Sequence, residues 1–180
     1  MTYLYIVLGV IVLWAVLGFN RLITLKNRAK EASSDIDVQS KRRYDLIPNL
    51  VESVKGYMAH EAGVLEKVTA ARTQAMGATG KDKAAAENNL SGTLKTLFAV
   101  AENYPQLKAN ENFLNLQNEL TDTEDKLQAA RRFYNTNVRD LNIQIQTFPS
   151  NILAKLFGFA PMDFFGVETD AEREAVQVKF

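Results

Sequence analysis

The 180-residue sequence contains no cysteine and a single histidine, His60. The absence of cysteine excludes disulfides, thiolate metal sites and a cysteine nucleophile. One histidine argues against a histidine metal cluster or a catalytic triad, because no set of nucleophile, base and orienting group can be assembled. We therefore predict a protein that is not an enzyme, with no catalytic residues, no metal, no cofactor and no small-molecule substrate.

An excess of charge of one sign is also missing, since Lys and Arg together number 21 and Asp and Glu also number 21. This balance argues against nucleic acid as a partner. Proline and glycine are scarce, at 4 and 9 residues, and they cluster between long stretches of good helix formers. This distribution predicts an all-α fold.

Residues 1–19 carry no charged side chain and are almost entirely apolar. As a helix, the segment from Tyr3 to Phe19 spans about 26 Å, close to the roughly 30 Å of the hydrocarbon core. Leu22 and Leu25 extend the span if Arg21 snorkels to the interface. We predict a transmembrane anchor over residues 1–25, with the apolar side chains Leu4, Ile6, Val10, Leu13, Trp14, Leu17 and Phe19 facing the lipid bilayer.

The alternative for this run is a cleaved secretory signal, which needs a basic segment before it and a small-residue cleavage site after it. Nothing basic precedes the run, and residues 17–21 make a poor cleavage site, so we expect an uncleaved anchor. The basic residues Arg21, Lys26, Arg28 and Lys30 follow it. The positive-inside rule then predicts an N-terminus outside and a cytoplasmic C-terminal domain.

Four amphipathic segments after the anchor predict helices at about 22–46, 48–76, 82–103 and 108–148. Packed together, they form an antiparallel up-and-down four-helix bundle over residues 26–148. The last helix carries Thr123 and Asn137 as polar members of its apolar stripe. Pro48 is interpreted as a turn, because the residue before a proline disfavours the α conformation. One long helix kinked at Pro48 is the alternative.

We predict an irregular aromatic tail over residues 149–180, with an extended end at Val176, Val178 and Phe180. With a turn at Pro48, four alternating helices return this tail to the membrane; with a kink, it lies at the far end. Its apolar side chains form a candidate surface for lipid, a partner or self-assembly, or they cover the end of the bundle core. They are Ile152, Leu156, Phe157, Phe159, Phe164 and Phe165.

Three short motifs partly match patterns that bind a metal, a phosphate group or an acidic partner. His60-Glu61 lacks the second histidine of a zinc-protease motif, and residues 77–82 lack the spacing and the Ser/Thr of a phosphate loop. Lys41-Arg42-Arg43 is expected to pair with acidic residues of a neighbouring helix rather than with lipid. The candidates for that polar network are Asp35, Asp37, Glu52, Arg131, Arg132 and Asn135.

Five blocks of the sequence closely resemble the bacterial LemA family and occur in the family's order. They are residues 28–52, 104–113 and 130–135, then Phe148-Pro149-Ser150-Asn151 and Phe157-Gly158-Phe159. The resemblance covers essentially the whole chain. Two features depart from the family pattern: Ser33 stands where tryptophan is frequent, and the segment from Glu174 to Phe180 lacks a frequent proline. These departures bear on local packing and on the seating of the tail.

The resemblance implies a single-pass protein of the bacterial cytoplasmic membrane with a cytoplasmic antiparallel helical bundle. It implies no catalytic residues. Some relatives are linked to membrane organisation, including magnetosome membrane formation, and the family is often encoded beside a membrane metalloprotease of the HtpX type.

Together, these observations predict a membrane-anchored scaffold or adaptor that binds a protein partner or a second copy of itself. One alternative is a self-assembling protein that organises or shapes membrane. Another is an accessory subunit of a membrane enzyme such as that metalloprotease.

Overall fold

A computed structural model of the chain describes residues 1–80 and 82–166. Every regular element in these residues is helical, so the predicted all-α class is confirmed for them. The elements are α1 (Thr2–Lys55), a 3-10 turn (Ala59–Glu61), α2 (Ala62–Gly77), α3 (Asp82–Ala101), α4 (Pro105–Lys108), α5 (Glu111–Gln146) and α6 (Ser150–Leu156). The predicted extended end at Val176, Val178 and Phe180 lies outside the described residues, as does Lys81 of the predicted 77–82 loop.

The prediction of a turn at Pro48 is wrong, because α1 continues through Pro48 to Lys55 and is 54 residues long. Proline has no N–H, so the carbonyl of Tyr44 loses its helical donor. Arg72 of α2 replaces it, since its Nε donates to the Tyr44 oxygen at 2.7 Å. The predicted helix boundary between residues 46 and 48 is therefore absent.

The chain reverses eight residues later than expected, immediately after α1. The N–H groups of Tyr57 and Met58 both donate to the carbonyl of Val54, at 3.0 and 2.9 Å. Gly56 lies in this turn. The predicted helix 48–76 is therefore divided: its first part belongs to α1, and its second part is α2.

The long fourth helix begins later than predicted. Pro105 opens the single-turn helix α4, where its missing N–H costs nothing. Asn110 then caps α5, since its side-chain oxygen accepts from the N–H of Phe113 at 3.1 Å. The short α4 and this cap replace the first turn of the predicted helix 108–148.

The chain divides into two compact units. The first, which we call the hairpin unit, contains Met1–Asp35 and Ala130–Phe164. The second, the bundle unit, contains Ile36–Ala129 and, among the described residues, Phe165 and Gly166. Both α1 and α5 contribute residues to both units.

The core of the bundle unit draws on α1, α2, α3 and α5. Apolar side chains recur three and four positions apart on each helix, which places them on one face. Removing these faces from water is the main favourable term in the packing. The buried members include Ile47, Leu50 and Val54 of α1, Leu65 and Val68 of α2, Leu90, Leu94 and Leu97 of α3, and Phe113 and Leu120 of α5.

The core of the hairpin unit is smaller. Its buried members are Leu22 and Leu25 of α1, Leu141 of α5, and Leu153 and Ala154 of α6. Trp14, Ala15, Ile145, Phe159 and Met162 pack against them and are half-buried. The end of the apolar run of α1 is thus part of a folded core.

Candidate functional site

The apolar run of α1 is long and apolar enough to cross a membrane, and its most apolar window is entirely unburied within the protein. Five of the seven predicted anchor residues are exposed: Leu4, Ile6, Val10, Leu13 and Leu17. The other two, Trp14 and Phe19, are half-buried. The structure therefore divides the run into a bare first part and a covered last part.

The last part of the run is covered by α6 and the chain that follows it. A Cβ added at Gly18 would lie 2.8 Å from Cδ1 of Leu153, so this glycine permits a close approach of α6. The ring of Phe19 lies 4.7 Å from the ring of Phe157 and 6.0 Å from that of Phe159, measured between centroids. Lys26 places its ammonium 5.7 Å from the centroid of Phe159, within cation–π range.

α6 has two faces. Ser150, Leu153 and Ala154 are buried, and Ser150 Oγ donates to the carbonyls of Gln144 and Thr147 at 2.7 and 2.8 Å. Ile152 is 54% exposed and Leu156 73% exposed, four positions apart on the opposite side. The short helix is therefore held by one face and presents an apolar row on the other.

α6 ends in a left-handed glycine. Gly158 has φ +70°, and its N–H donates to the carbonyl of Lys155. The N–H of Phe159 donates back to the carbonyl of Ala154 at 2.9 Å. This pair of bonds is a Schellman motif, and only glycine adopts that conformation without strain. The motif turns the chain so that Phe157 and Phe159 both contact Phe19.

The chain after α6 is fastened to α5. Asn142 donates from Nδ2 to the carbonyl of Met162 and accepts the N–H of Met162 at Oδ1, both at 2.9 Å. Tyr134 donates its hydroxyl to the carbonyl of Asp163 at 2.9 Å. Burial, and secondarily the Asp163 carboxylate, raises the pKa of the Tyr134 phenol. The segment up to Phe164 therefore has defined contacts.

The six predicted tail residues do not form one exposed surface. Ile152, Leu156 and Phe157 are exposed, whereas Phe159, Phe164 and Phe165 are half-buried. Phe165 also belongs to the other unit. The tail nevertheless lies against the end of the apolar run even though Pro48 is helical, because the chain reverses just after α1.

The bundle unit contains a buried charged cluster. Arg43 and Glu87 are both 0% exposed and form an ion pair. Arg43 also pairs with Glu124 and donates to Ser91 Oγ at 2.7 Å. Tyr44 donates its hydroxyl to Glu87, and burial raises the pKa of that phenol. Because these residues come from α1, α3 and α5, the cluster links three helices through paired charges.

Sequence reasoning anticipated that Arg43 pairs with another helix but missed Glu87 and Glu124. The signal was present, because Glu87 stands in phase with Leu90 and Leu94 on the apolar stripe of α3. Two of the residues predicted for the polar network form other ion pairs, away from Arg43. Asp37 pairs with Lys83, and Glu52 lies 3.9 Å from Lys55 of its own helix.

The remaining motifs have ordinary surroundings. His60 is exposed in the 3-10 turn, and Glu61 accepts a hydrogen bond from the Tyr104 hydroxyl at 3.3 Å. Arg42 lies 3.8 Å from Glu119, across to α5. Lys41 pairs with Asp45 on the same helix at 2.6 Å. These are surface contacts of the bundle unit.

Comparison with known proteins gives this helical chain a family. A sequence profile described as the LemA family matches residues 32–180. Protein LemA of Metamycoplasma hominis is 30% identical over 141 aligned positions, which cover 76% of this chain and 63% of that protein. The family and the apolar helix together indicate a membrane-associated protein.

Relatives with other names also match. Magnetosome protein MamQ of Magnetospirillum gryphiswaldense is 22% identical, and Magnetosome protein MamQ 2 of Paramagnetospirillum magneticum is 24% identical. Each alignment covers 82% of this chain and 64% of the relative. The chain thus spans a little under two thirds of the length of these curated relatives. With its profile match over residues 32–180, the chain belongs to the LemA family.

Proposed function

We propose that this protein is a membrane-anchored helical scaffold or adaptor of the bacterial cytoplasmic membrane, without catalytic activity. The observation that carries the proposal is the continuity of α1. One uninterrupted helix supplies the exposed apolar run and core residues of both units. The anchor and the folded part are therefore not separated by a linker.

The proposed orientation follows from the residues after the run. Arg21, Lys26, Arg28 and Lys30 all follow it within about a dozen residues. Basic residues this close to a membrane span favour the cytoplasmic side. The bundle unit would then face the cytoplasm and meet cytoplasmic or membrane-bound partners.

The charges of the bundle unit support a binding role over a catalytic one. Its buried Arg43 is neutralised by the buried Glu87 and the partly exposed Glu124, as in structural ion pairs. Exposed apolar side chains lie on its outer surface, including Val38 of α1 and Leu114 of α5. We propose these positions as contacts for a protein partner or a second copy.

Site-specific crosslinking tests this proposal. A photoreactive amino acid is placed at Val38 or Leu114 of the full chain in native membranes. The neighbouring exposed residue Asn115 serves as the matched polar control. We expect a discrete adduct from Val38 or Leu114 but not from Asn115, identified by mass spectrometry as one recurrent partner or as the chain itself. The adduct should disappear in a Val38→Lys or Leu114→Lys variant that carries the crosslinker at the other position.

Two outcomes would overturn the scaffold. One is the absence of any adduct at both apolar positions under conditions that crosslink a known complex. The other is turnover of a substrate by the full chain in nanodiscs. A recurrent adduct with a membrane metalloprotease would replace a general scaffold with the accessory-subunit role.

A self-assembling protein that organises membrane is the second candidate. It is favoured by the similarity of this chain to two relatives that are named magnetosome proteins. It predicts large assemblies of the full-length chain in mild detergent, lost on truncation at Asn151. A monomer by mass measurement would contradict it.

A further inference from the structure

The outer face of α6 is an apolar row with no cover within the described residues. Ile152 and Leu156, four positions apart on α6, are 54% and 73% exposed, and Phe148, which precedes the helix, is 75% exposed. Phe157 follows at 54%. Exposed apolar clusters of this kind mark interaction surfaces.

The row lies level with the end of the apolar run. Leu153, on the inner face of α6, lies against Gly18, and the ring of Phe157 contacts that of Phe19 at a tilt of 58°. A membrane-spanning helix needs roughly 20 residues at about 1.5 Å each. A span that starts at Tyr3 therefore ends near Leu22. Gly18 and Phe19 fall within the last turns of that span, and α6 lies beside them.

We propose that α6 lies in the bilayer interface, with Phe148, Ile152, Leu156 and Phe157 inserted at the boundary between headgroups and acyl chains. The proposal rests on the proposed function, because it requires the apolar run to span the membrane. α6 then acts as a second, lateral membrane contact. It fixes the depth and rotation of α1, which a single span alone leaves free.

The backbone of α6 suits this location. A peptide group at the edge of the hydrocarbon needs an internal partner, because water is scarce there. The Schellman motif at Gly158 supplies partners for the carbonyls of Ala154 and Lys155. Just before the helix, the carbonyls of Gln144, in the last turn of α5, and of Thr147 lie within hydrogen-bond distance of the Ser150 hydroxyl.

Two lysine side chains lie where they could bind lipid phosphate groups. Lys155 is exposed on α6, one position before Leu156, and Lys26 lies over the ring of Phe159. Long basic side chains beside an apolar face reach up to phosphate while their stems stay in the apolar layer. An interfacial helix combines these two features.

Lipid is favoured as the occupant by continuity. The apolar row joins the bare surface of α1 through the contact of Phe157 with Phe19, and that surface is entirely unburied within the protein. Lipid that surrounds Leu17 therefore also meets Phe157. A second copy of the chain bound at the row is the competing occupant, and the experiment separates the two.

The absence of cysteine makes the test direct. Single cysteines at Ile152 and Leu156 of the full chain are spin-labelled in nanodiscs, and their collision rates with oxygen and with a water-soluble nickel complex are measured. Leu13 is the reference for lipid. Lys155, on the same helix, and Phe133, an exposed apolar residue of α5 about 22 Å before Phe148 along the helix axis, are the controls.

We expect the ratio of oxygen to nickel accessibility at Ile152 and Leu156 to approach that at Leu13. It should exceed the ratio at Phe133 several-fold, and Lys155 should give an intermediate value. Helix content by circular dichroism confirms that each labelled variant is folded.

Three results would overturn the proposal, and they differ in what else they affect. If Leu13 is in lipid but the labels at Ile152 and Leu156 give the same ratio as Phe133, the interfacial helix is contradicted and the anchor is not. A water-exposed Leu13 removes the anchor as well. If both reagents are excluded, and the spectra show spin–spin broadening that disappears on dilution in lipid, the row binds a second copy of the chain.

Discussion

The two units of this chain differ most in the large apolar side chains that they leave exposed. Both units bury polar groups. The bundle unit pairs Arg43 with the buried Glu87 and the partly exposed Glu124, and the hairpin unit buries Arg131, Asn137 and Ser150 beside a cluster of four leucines and one alanine. Among the described residues, the bundle unit exposes four large apolar side chains: Val38, Tyr57, Met76 and Leu114. The hairpin unit leaves more of them exposed, and lipid is the medium in which that exposure costs nothing. The contrast separates a unit whose apolar side chains are mostly packed from a unit whose apolar run is bare within the protein.

The largest expected effect comes from Glu87→Ala in the bundle unit. Removing this carboxylate leaves Arg43 without its buried partner on α3, which costs about 3–5 kcal/mol of unfolding free energy. Thermal and denaturant unfolding of the full chain in one detergent measure the loss. A change below about 1 kcal/mol would show that the cluster is not the polar centre of this unit.

Leu25→Ala tests the apolar core of the hairpin unit. Leu25 is 3% exposed, and truncation of a buried leucine costs about 2–4 kcal/mol. Faster hydrogen exchange in α6 and in the end of α5 is the expected readout by mass spectrometry. Ile23→Ala, at a neighbouring exposed position, is the matched control. Equal exchange in both variants would contradict the packing of α6 on α1.

High pH should weaken the bundle unit through Tyr44. Because burial raises the pKa of this phenol above its ordinary value of about 10, the folded state holds the proton that the unfolded state releases. The stabilising contribution is complete below pH about 10 and is lost as pH rises through the raised pKa. Tyr44→Phe should flatten the fall in melting temperature above about pH 10. An unchanged slope would contradict the burial of this hydroxyl.

The smallest expected effect is at the surface. Asp122 and Lys126 form an exposed pair at 2.7 Å on α5, and such pairs contribute about 0.5 kcal/mol or less. Asp122→Ala should therefore leave the melting temperature nearly unchanged. A loss comparable to that of Glu87→Ala would abolish the distinction between buried and exposed pairs.

Periodicity predicted the helical class and much of the core, because apolar side chains recur three and four positions apart on every long helix. Thr123 and Asn137 are buried in the stripe of α5 where the sequence placed them. The turn at Pro48 was predicted wrongly, because the residue that repairs the helix there, Arg72, lies on α2. A local rule cannot include a donor from another helix.

The candidate surface was predicted in part. The sequence pointed to the aromatic tail, and Ile152, Leu156 and Phe157 are exposed there. It did not distinguish them from Phe159, which turns inward because Gly158 adopts a left-handed conformation. Which side of a seven-residue helix faces outward depends on its tertiary contacts, here with Gly18 and Phe19.

The contact between Arg72 and the Tyr44 carbonyl gives Pro48 a role in pairing the first two helices of the bundle unit. An alanine at position 48 would supply the N–H that this carbonyl lacks, and the Arg72 guanidinium would then compete with it. Proline leaves one carbonyl open at one height, and the guanidinium of Arg72 meets it only when α2 is docked in a single register. The missing hydrogen bond in α1 thereby specifies where α2 packs along it.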